Sequence, residues 1–266
     1  MVVKDRLRAI AQETVAIADR GHYDTAAGTV SLAGAVAAAV SGTRLHLPDE
    51  HLPLPEPRTG PPTTEVTAET TLAAGKRLGG RTACLNFASA RKPGGGFLNG
   101  AQAQEESLAR ASALYPTLLA AEDFYAHHRA NHDLVYTDRV IYSPDVPVYR
   151  DDDGALLAQP YPLSFLTAAA PNRSAILTNQ PERAAAIEGA LRARATRVLH
   201  VAATHGHTRL VLGAWGCGVF GNDPALVADV FAAALRDNPY FEHVAFAVYD
   251  SRPDSPTRAA FARVFA

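Results

Sequence analysis

Leu7, Ile10, Ala11, Val15 and Ile17 recur near helical spacing among Arg, Gln and Glu, which predicts an amphipathic helix over residues 5–20, ended by Gly21. Between residues 47 and 62, Pro48, Pro53, Pro55, Pro57, Pro61 and Pro62 forbid a helix and predict an extended strap over the surface. Beyond it the two hydrophobic periods alternate. The pattern predicts a helix over 66–78, a strand over 82–88, a helix over 103–121, and strands over 139–143 and 164–168. A helix over 182–194 and a strand over 209–215 follow, then a helix over 224–236 capped by Asp223 with Pro224 in its first turn, and a final strand over 243–249. Residues 197–203 fit either a continued helix or a strand. This alternation places the chain in the α/β class, with a sheet covered on both faces. The organisation it implies is an N-terminal helical extension and Pro-rich strap, 1–62, followed by a core, 63–266.

The length of 266 residues suffices for one large α/β domain with a full core. Lys and Arg number 25 against 27 Asp and Glu, so no overall basic field exists to hold nucleic acid by its phosphates, and sequence-specific nucleic-acid binding is not expected. Cys84 and Cys217 each sit in an apolar or Gly-rich run, as buried reduced thiols do, which points to the cytoplasm. The N-terminus carries the charged run Lys4-Asp5-Arg6 and no apolar signal core, and no stretch reaches the roughly 18 apolar residues a membrane helix needs. No membrane association is expected.

Two Gly-rich loops follow the two clearest strands. The first is Gly94-Gly95-Gly96; the second runs from Gly213 through Gly216, Cys217, Gly218, Val219, Phe220 and Gly221 to Asn222, just before the helix capped by Asp223. Glycine lets a backbone turn at positive φ and approach a ligand without Cβ obstruction, and strand ends beside helix N-termini favour phosphate. Together the two loops could hold a diphosphate. Neither is a Walker loop, since no Gly-Lys-Ser/Thr follows, and neither is a GxGxxG opening a helix after a first strand. Next comes Gln104-Glu105-Glu106 at a helix start. Acidic residues there also complement the helix dipole. Their place beside a triple-glycine turn suggests chemistry instead: glycosidic cleavage needs a carboxylic acid for the leaving oxygen and a carboxylate for water or sugar hydroxyls.

The run Asn86-Phe87-Ala88-Ser89-Ala90-Arg91-Lys92-Pro93-Gly94-Gly95-Gly96, followed by Gln104-Glu105-Glu106, resembles the signature of poly(ADP-ribose) glycohydrolases in their short, bacterial form. The second loop is similar to the diphosphate loop of macrodomains, the fold to which those enzymes belong. The resemblance implies a macrodomain-like three-layer α/β/α fold with a mixed sheet. It implies Glu106 as general acid/base on the ribose–ribose bond and Glu105 as holder of sugar hydroxyls. It also brings Gly94, Gly95 and Gly96 to the distal ribose and diphosphate, counts Phe97 and Gln104 among the substrate-binding residues, and puts amides of Gly216, Gly218, Val219 and Gly221 on the diphosphate and Phe220 against that ribose. No metal or cofactor is implied. The partners are poly(ADP-ribose) and ADP-ribosylated proteins, with ADP-ribose as product. Two alternatives use the same loops: a hydrolase of mono-ADP-ribosylated side chains, and a non-catalytic ADP-ribose reader, which would not need both glutamates.

Other polar clusters have plainer readings. His127, His128 and His132 lack Cys or carboxylate partners at zinc-site spacing. Asp151-Asp152-Asp153-Gly154 lacks the alternating ligands of a calcium loop and predicts a hairpin turn. His205 and His207 are expected in an exposed turn, Trp215 in the core, and Cys217 in a small packing role.

Overall fold

A computed structural model describes residues 3–250, 252 and 254–266. The elements run α1 (Val3–Arg20), β1 (His22–Thr25), β2 (Gly28–Ser31), α2 (Ala33–Gly42), β3 (Arg44–His46), β4 (Thr63–Thr67), α3 (Thr71–Leu78), β5 (Thr82–Phe87), α4 (Gln104–Ala111), α5 (Leu114–Ala120) and α6 (Glu122–Ala130). There follow β6 (Val140–Arg150), β7 (Leu156–Ala168), α7 (Arg173–Asn179), α8 (Ile187–Thr204), β8 (Arg209–Leu212), α9 (Pro224–Asp237), β9 (His243–Ala247) and α10 (Pro256–Phe265). A mixed seven-stranded sheet in the order β3-β6-β7-β5-β8-β9-β4 carries helices on both faces. Its parallel centre is β7, β5, β8, β9 and β4, and β6 is antiparallel to both β7 and β3.

Side chains of β5 alternate between two cores, as the pleat requires. Ala83 and Leu85 face the layer of α8, α9 and α10, whereas Cys84 faces the layer of α1 to α6. Gly21, at φ 75°, closes α1 by donating to Ile17 O at 2.9 Å. Asp223 caps α9 by accepting from Ala225 N at 2.9 Å. Residue 62 is not where the sheet begins, because β3 within the N-terminal segment already pairs with β6. The proline strap carries no regular element; Leu52 sinks into the core beside α8, and Arg197 donates to Leu47 O and Glu50 O.

Several elements differ from the sequence pattern, for local reasons. The helix expected from residue 66 starts only at Thr71, because the β-branched run Thr63, Thr64, Val66, Thr67 pairs with β9 and Thr70 then caps α3. The helix expected over 103–121 is two helices, broken where Ser112 bridges to Val148 and Ala113 N donates to Pro147 O at 3.0 Å. Residues 197–203 belong to α8, which a 3-10 turn over Pro181–Ala186 precedes. The hairpin β6–β7 is far longer than its apolar cores suggested, and turns at Asp151–Gly154 as expected. Helix α10 was not foreseen.

His205 and His207 are not in an exposed turn. Tyr142 from β6 reaches under them, its ring stacked 3.6 Å from that of His205 and its hydroxyl 2.9 Å from His207 Nε2. His205 Nε2 meets His46 Nε2 at 2.9 Å, and His46 Nδ1 meets Glu50 at 3.0 Å. Arg44, Arg197, Arg81 and Asp145 are the other charges that act on these rings. Burial holds all three imidazoles below their usual range, His205 at about 4, with the neighbouring imidazoles adding to its shift. The unfolded chain therefore takes up protons below about 6.5 while the folded one resists until about 4, so stability falls with pH across that window. Thermal melts from pH 7 to pH 4.5 are expected to show this fall, and His205→Phe, which keeps the stack but cannot ionise, to flatten it; parallel curves would remove the imidazole pair as its source.

Candidate active site

The carboxyl end of β5 lies at the centre of the sheet, and the chain leaves it through Ser89 and the triple glycine before entering α4. Gln104, the first residue of α4, laces the helix to the strand. Its Oε1 accepts from Phe87 N at 2.9 Å, and its Nε2 donates to Leu85 O at 2.7 Å and Thr71 Oγ1 at 3.1 Å. These bonds make Gln104 an anchor for the helix start, and the residue also lines the cleft.

Glu105 and Glu106 leave the same helical turn in different directions. Glu105 is 3% exposed; its carboxylate accepts from Ser89 N at 2.7 Å and from Asn86 Nδ2 at 3.3 Å, and receives the Gly94 N–H. Asn86 also donates to Thr167 Oγ1 at 3.1 Å, the residue facing it in β7. Burial pushes the Glu105 carboxyl up to about 8, with the Glu106 charge adding and the three donors opposing. Glu106 accepts from Gly96 N at 3.0 Å through Oε1. Burial thus favours the protonated form at Glu105, the first carboxyl of the pair.

This packing gives the glycine trio a physical reason. Gly94 and Gly95 have φ of 66° and 59°. A Cβ on Gly95 would collide with Glu106 Oε1 and sit 3.1 Å from Glu105 Oε2, and one on Gly94 would sit 2.9 Å from the Phe97 ring. The trio's amides turn inward: Gly94 to Glu105, Gly95 to Lys92 O at 2.9 Å, Gly96 to Glu106. Their first task is to hold the carboxylates. Phe97 also corrects the expectation. Its ring is 1% exposed and packs against Tyr115, 4.9 Å between centroids, beside Ala11 and Ala109, so it supports the loop from beneath and does not face the cleft.

The second loop faces Glu105 and Glu106 across a cavity of about 860 Å³, lined by Gly216, Cys217, Gly218, Val219 and Phe220 on that side. Gly216, at φ 72°, and Gly221, at φ 68°, leave no room for a Cβ against Asn222 and Ser174. The Gly221 amide closes a turn onto Gly218 O at 3.0 Å, and Asn222 N returns to Gly216 O at 3.0 Å. Among the described residues, the amides of Gly216, Gly218, Val219 and Phe220 donate to no protein acceptor, so this stretch presents the open donors. Val219 is 85% exposed, and Trp215 lies beneath, fully buried and bonded to Ala168 O. Cys217 stays thiol, its pKa pushed to about 12 by burial.

Sequence reasoning did not assign the rest of the wall: Leu7 and Ile10 from α1, Asp151 to Gly154 from the β6–β7 turn, and Tyr249, Asp250 and Arg252 after β9. Phe87, Ala88 and Ser89 on the wall, and Asn86 behind Glu105, carried a signal by lying inside the motif. Among the described residues no group of three or more His, Cys, Asp or Glu is arranged to hold a metal ion, and no helix is long and apolar enough to cross a membrane.

The microbial-type PARG catalytic domain matches residues 11–151. Among solved structures, poly(ADP-ribose) glycohydrolase from Thermomonospora curvata is 52% identical with a TM-score of 0.89, covering 98% of this chain and 100% of that one. The same enzyme bound to the inhibitor ADP-HPD gives 0.86 at 52% identity over 97% and 99%. The Deinococcus radiodurans enzyme in complex with ADP-ribose gives 0.81 at 48% identity over 88% and 98%. No curated protein sequence matches the chain significantly.

Gly95→Ala is expected to cost about 1–3 kcal/mol of stability, from the positive φ and the displaced carboxylates together. A crystal structure of the variant should show the Glu106 side chain moved off Gly96 N; an unmoved carboxylate would refute the proposed fit.

Proposed function

From membership of the microbial-type poly(ADP-ribose) glycohydrolase family, which the chain has, we propose that Glu106 is the acid/base cleaving the ribose–ribose bond of poly(ADP-ribose) in this cleft. The observation that carries the proposal is the pose of Glu106. Its Oε1 is fixed by Gly96 N–H, so Oε2 is the atom that carries the proton. In the forward step that proton goes to the departing ribose oxygen as the bond to the anomeric carbon of the terminal unit breaks. The carboxylate left behind takes a proton from water as the water oxygen bonds to that carbon, releasing ADP-ribose and restoring the acid.

Glu105 has a different part. Kept largely protonated by burial and oriented by Ser89, Asn86 and Gly94, it offers a hydrogen bond to a ribose hydroxyl without placing a second negative charge beside Glu106. The open amides of Gly218 and Val219 take the diphosphate, and Phe220 bounds the distal ribose. Poly(ADP-ribose) and ADP-ribosylated proteins are the partners, and the cytoplasm is the compartment, in keeping with two free thiols.

Incubation with automodified polymer should release ADP-ribose. Glu106→Gln should keep ADP-ribose affinity within about twofold while lowering turnover by about 10²–10⁴, the usual worth of a general acid; near-normal turnover would remove Glu106 from the mechanism. Turnover is also expected to fall as pH rises through about 8, where Glu105 ionises beside Glu106, and a rate flat from pH 7 to pH 9 would count against that role.

A further inference from the structure

Around the glycine trio and the second loop lie cations with no carboxylate partner among the described residues. Arg91 and Lys92 are exposed on the turn leading to the glycines, and Arg139 lies just before β6. Arg173 opens α7, where its guanidinium donates to Gly221 O at 3.3 Å. None of these four makes an ion pair among the described residues, whereas the nearby Arg129, Arg183 and Arg194 are each paired, with Glu122, Asp133 and Asp138.

Tyr136 ties them together. Its ring is 6.3 Å from that of Phe220 and lies in the field of Arg91. It also packs 5.6 Å from His128, a ring on which Arg139 acts. Arg129 draws α6 against the turn by donating to Arg91 O at 3.1 Å. Tyr136 holds φ of 59°, a conformation a bulky side chain keeps only where its surroundings enforce it and one that often marks a binding site. Asp151, Asp152 and Asp153 line the cleft together with Arg252, and the chain's net charge of −2 supplies no general attraction for an anion.

We infer that Arg91, Lys92, Arg139 and Arg173, grouped about Tyr136, form a second subsite that binds the diphosphate of the ADP-ribose unit next to the one being cleaved. The inference rests on the proposed placement of the reacting ribose beside Glu106 and Phe220. A polymer leaving that ribose carries two further phosphate charges per unit, which these unpaired cations attract, and Tyr136 offers a ring for stacking.

The test compares size-fractionated poly(ADP-ribose) with free ADP-ribose, using the intact protein and the triple variant Arg91→Ala/Lys92→Ala/Arg139→Ala. KM for polymer should rise about tenfold, with kcat at saturation and calorimetric ADP-ribose affinity held. The slope of log KM against log salt should fall by about 1.4, for the two phosphates of one diphosphate. Arg91→Lys/Arg139→Lys, which keeps the charges, should behave as the parent. An unchanged KM and salt slope in the triple variant would overturn the subsite, as would an equal loss of ADP-ribose affinity. Failure of the parent itself to release ADP-ribose would instead overturn the hydrolase reading, and the subsite with it.

Discussion

Two neighbouring carboxyl groups are held against a stretch of backbone that has no side chains. Ser89, Gly94 and Gly96 point their N–H groups at Glu105 and Glu106, and the positive φ of Gly94 and Gly95 brings the main chain into contact with the acids. Backbone N–H groups aimed at carboxyl oxygens are directional donors, so they set where each oxygen can go. Every other part of the centre serves this contact. Gln104 fixes where α4 begins, Phe97 and Tyr115 fill the space beneath the loop, and Asn86 links Glu105 to the middle strands of the sheet.

The contact also separates the two acids by environment. Glu105 points inward among donors that cannot fully offset its desolvation, and so favours its protonated form. Glu106 is tethered through one oxygen at the cavity wall. A pair of identical residues, adjacent in sequence, thereby acquires distinct surroundings. Across the cleft the Gly218 and Val219 amides complement this arrangement, since a loop with unspent donors suits an anion as the carboxylates suit a sugar.

Much of this was legible in the chain because the informative signals are local. The strand before the triple glycine, the helix opening on Gln104-Glu105-Glu106 and the cap of α9 at Asp223 all lie where short-range patterns place them. What was not legible depends on partners far along the chain. The strand Thr63–Thr67 exists because β9 is beside it, and the break at Ser112 exists because Val148 is. The direction in which a side chain points was equally hidden: Phe97 follows the triple glycine directly yet turns into the protein. His205 and His207 lie in a turn whose burial depends on Tyr142 from another strand. The walls formed by α1, the β6–β7 turn and Tyr249 have no motif at all, since only the closed fold assembles them.

The most direct measurement is a crystal structure of the Glu106→Gln protein with an uncleaved poly(ADP-ribose) fragment spanning the cleft. The account places the side chain at position 106 within about 3.2 Å of the oxygen joining the two riboses, with the terminal diphosphate on the Gly218 and Val219 amides. A linkage bound out of reach of that side chain, or a diphosphate seated away from the second loop, would contradict it.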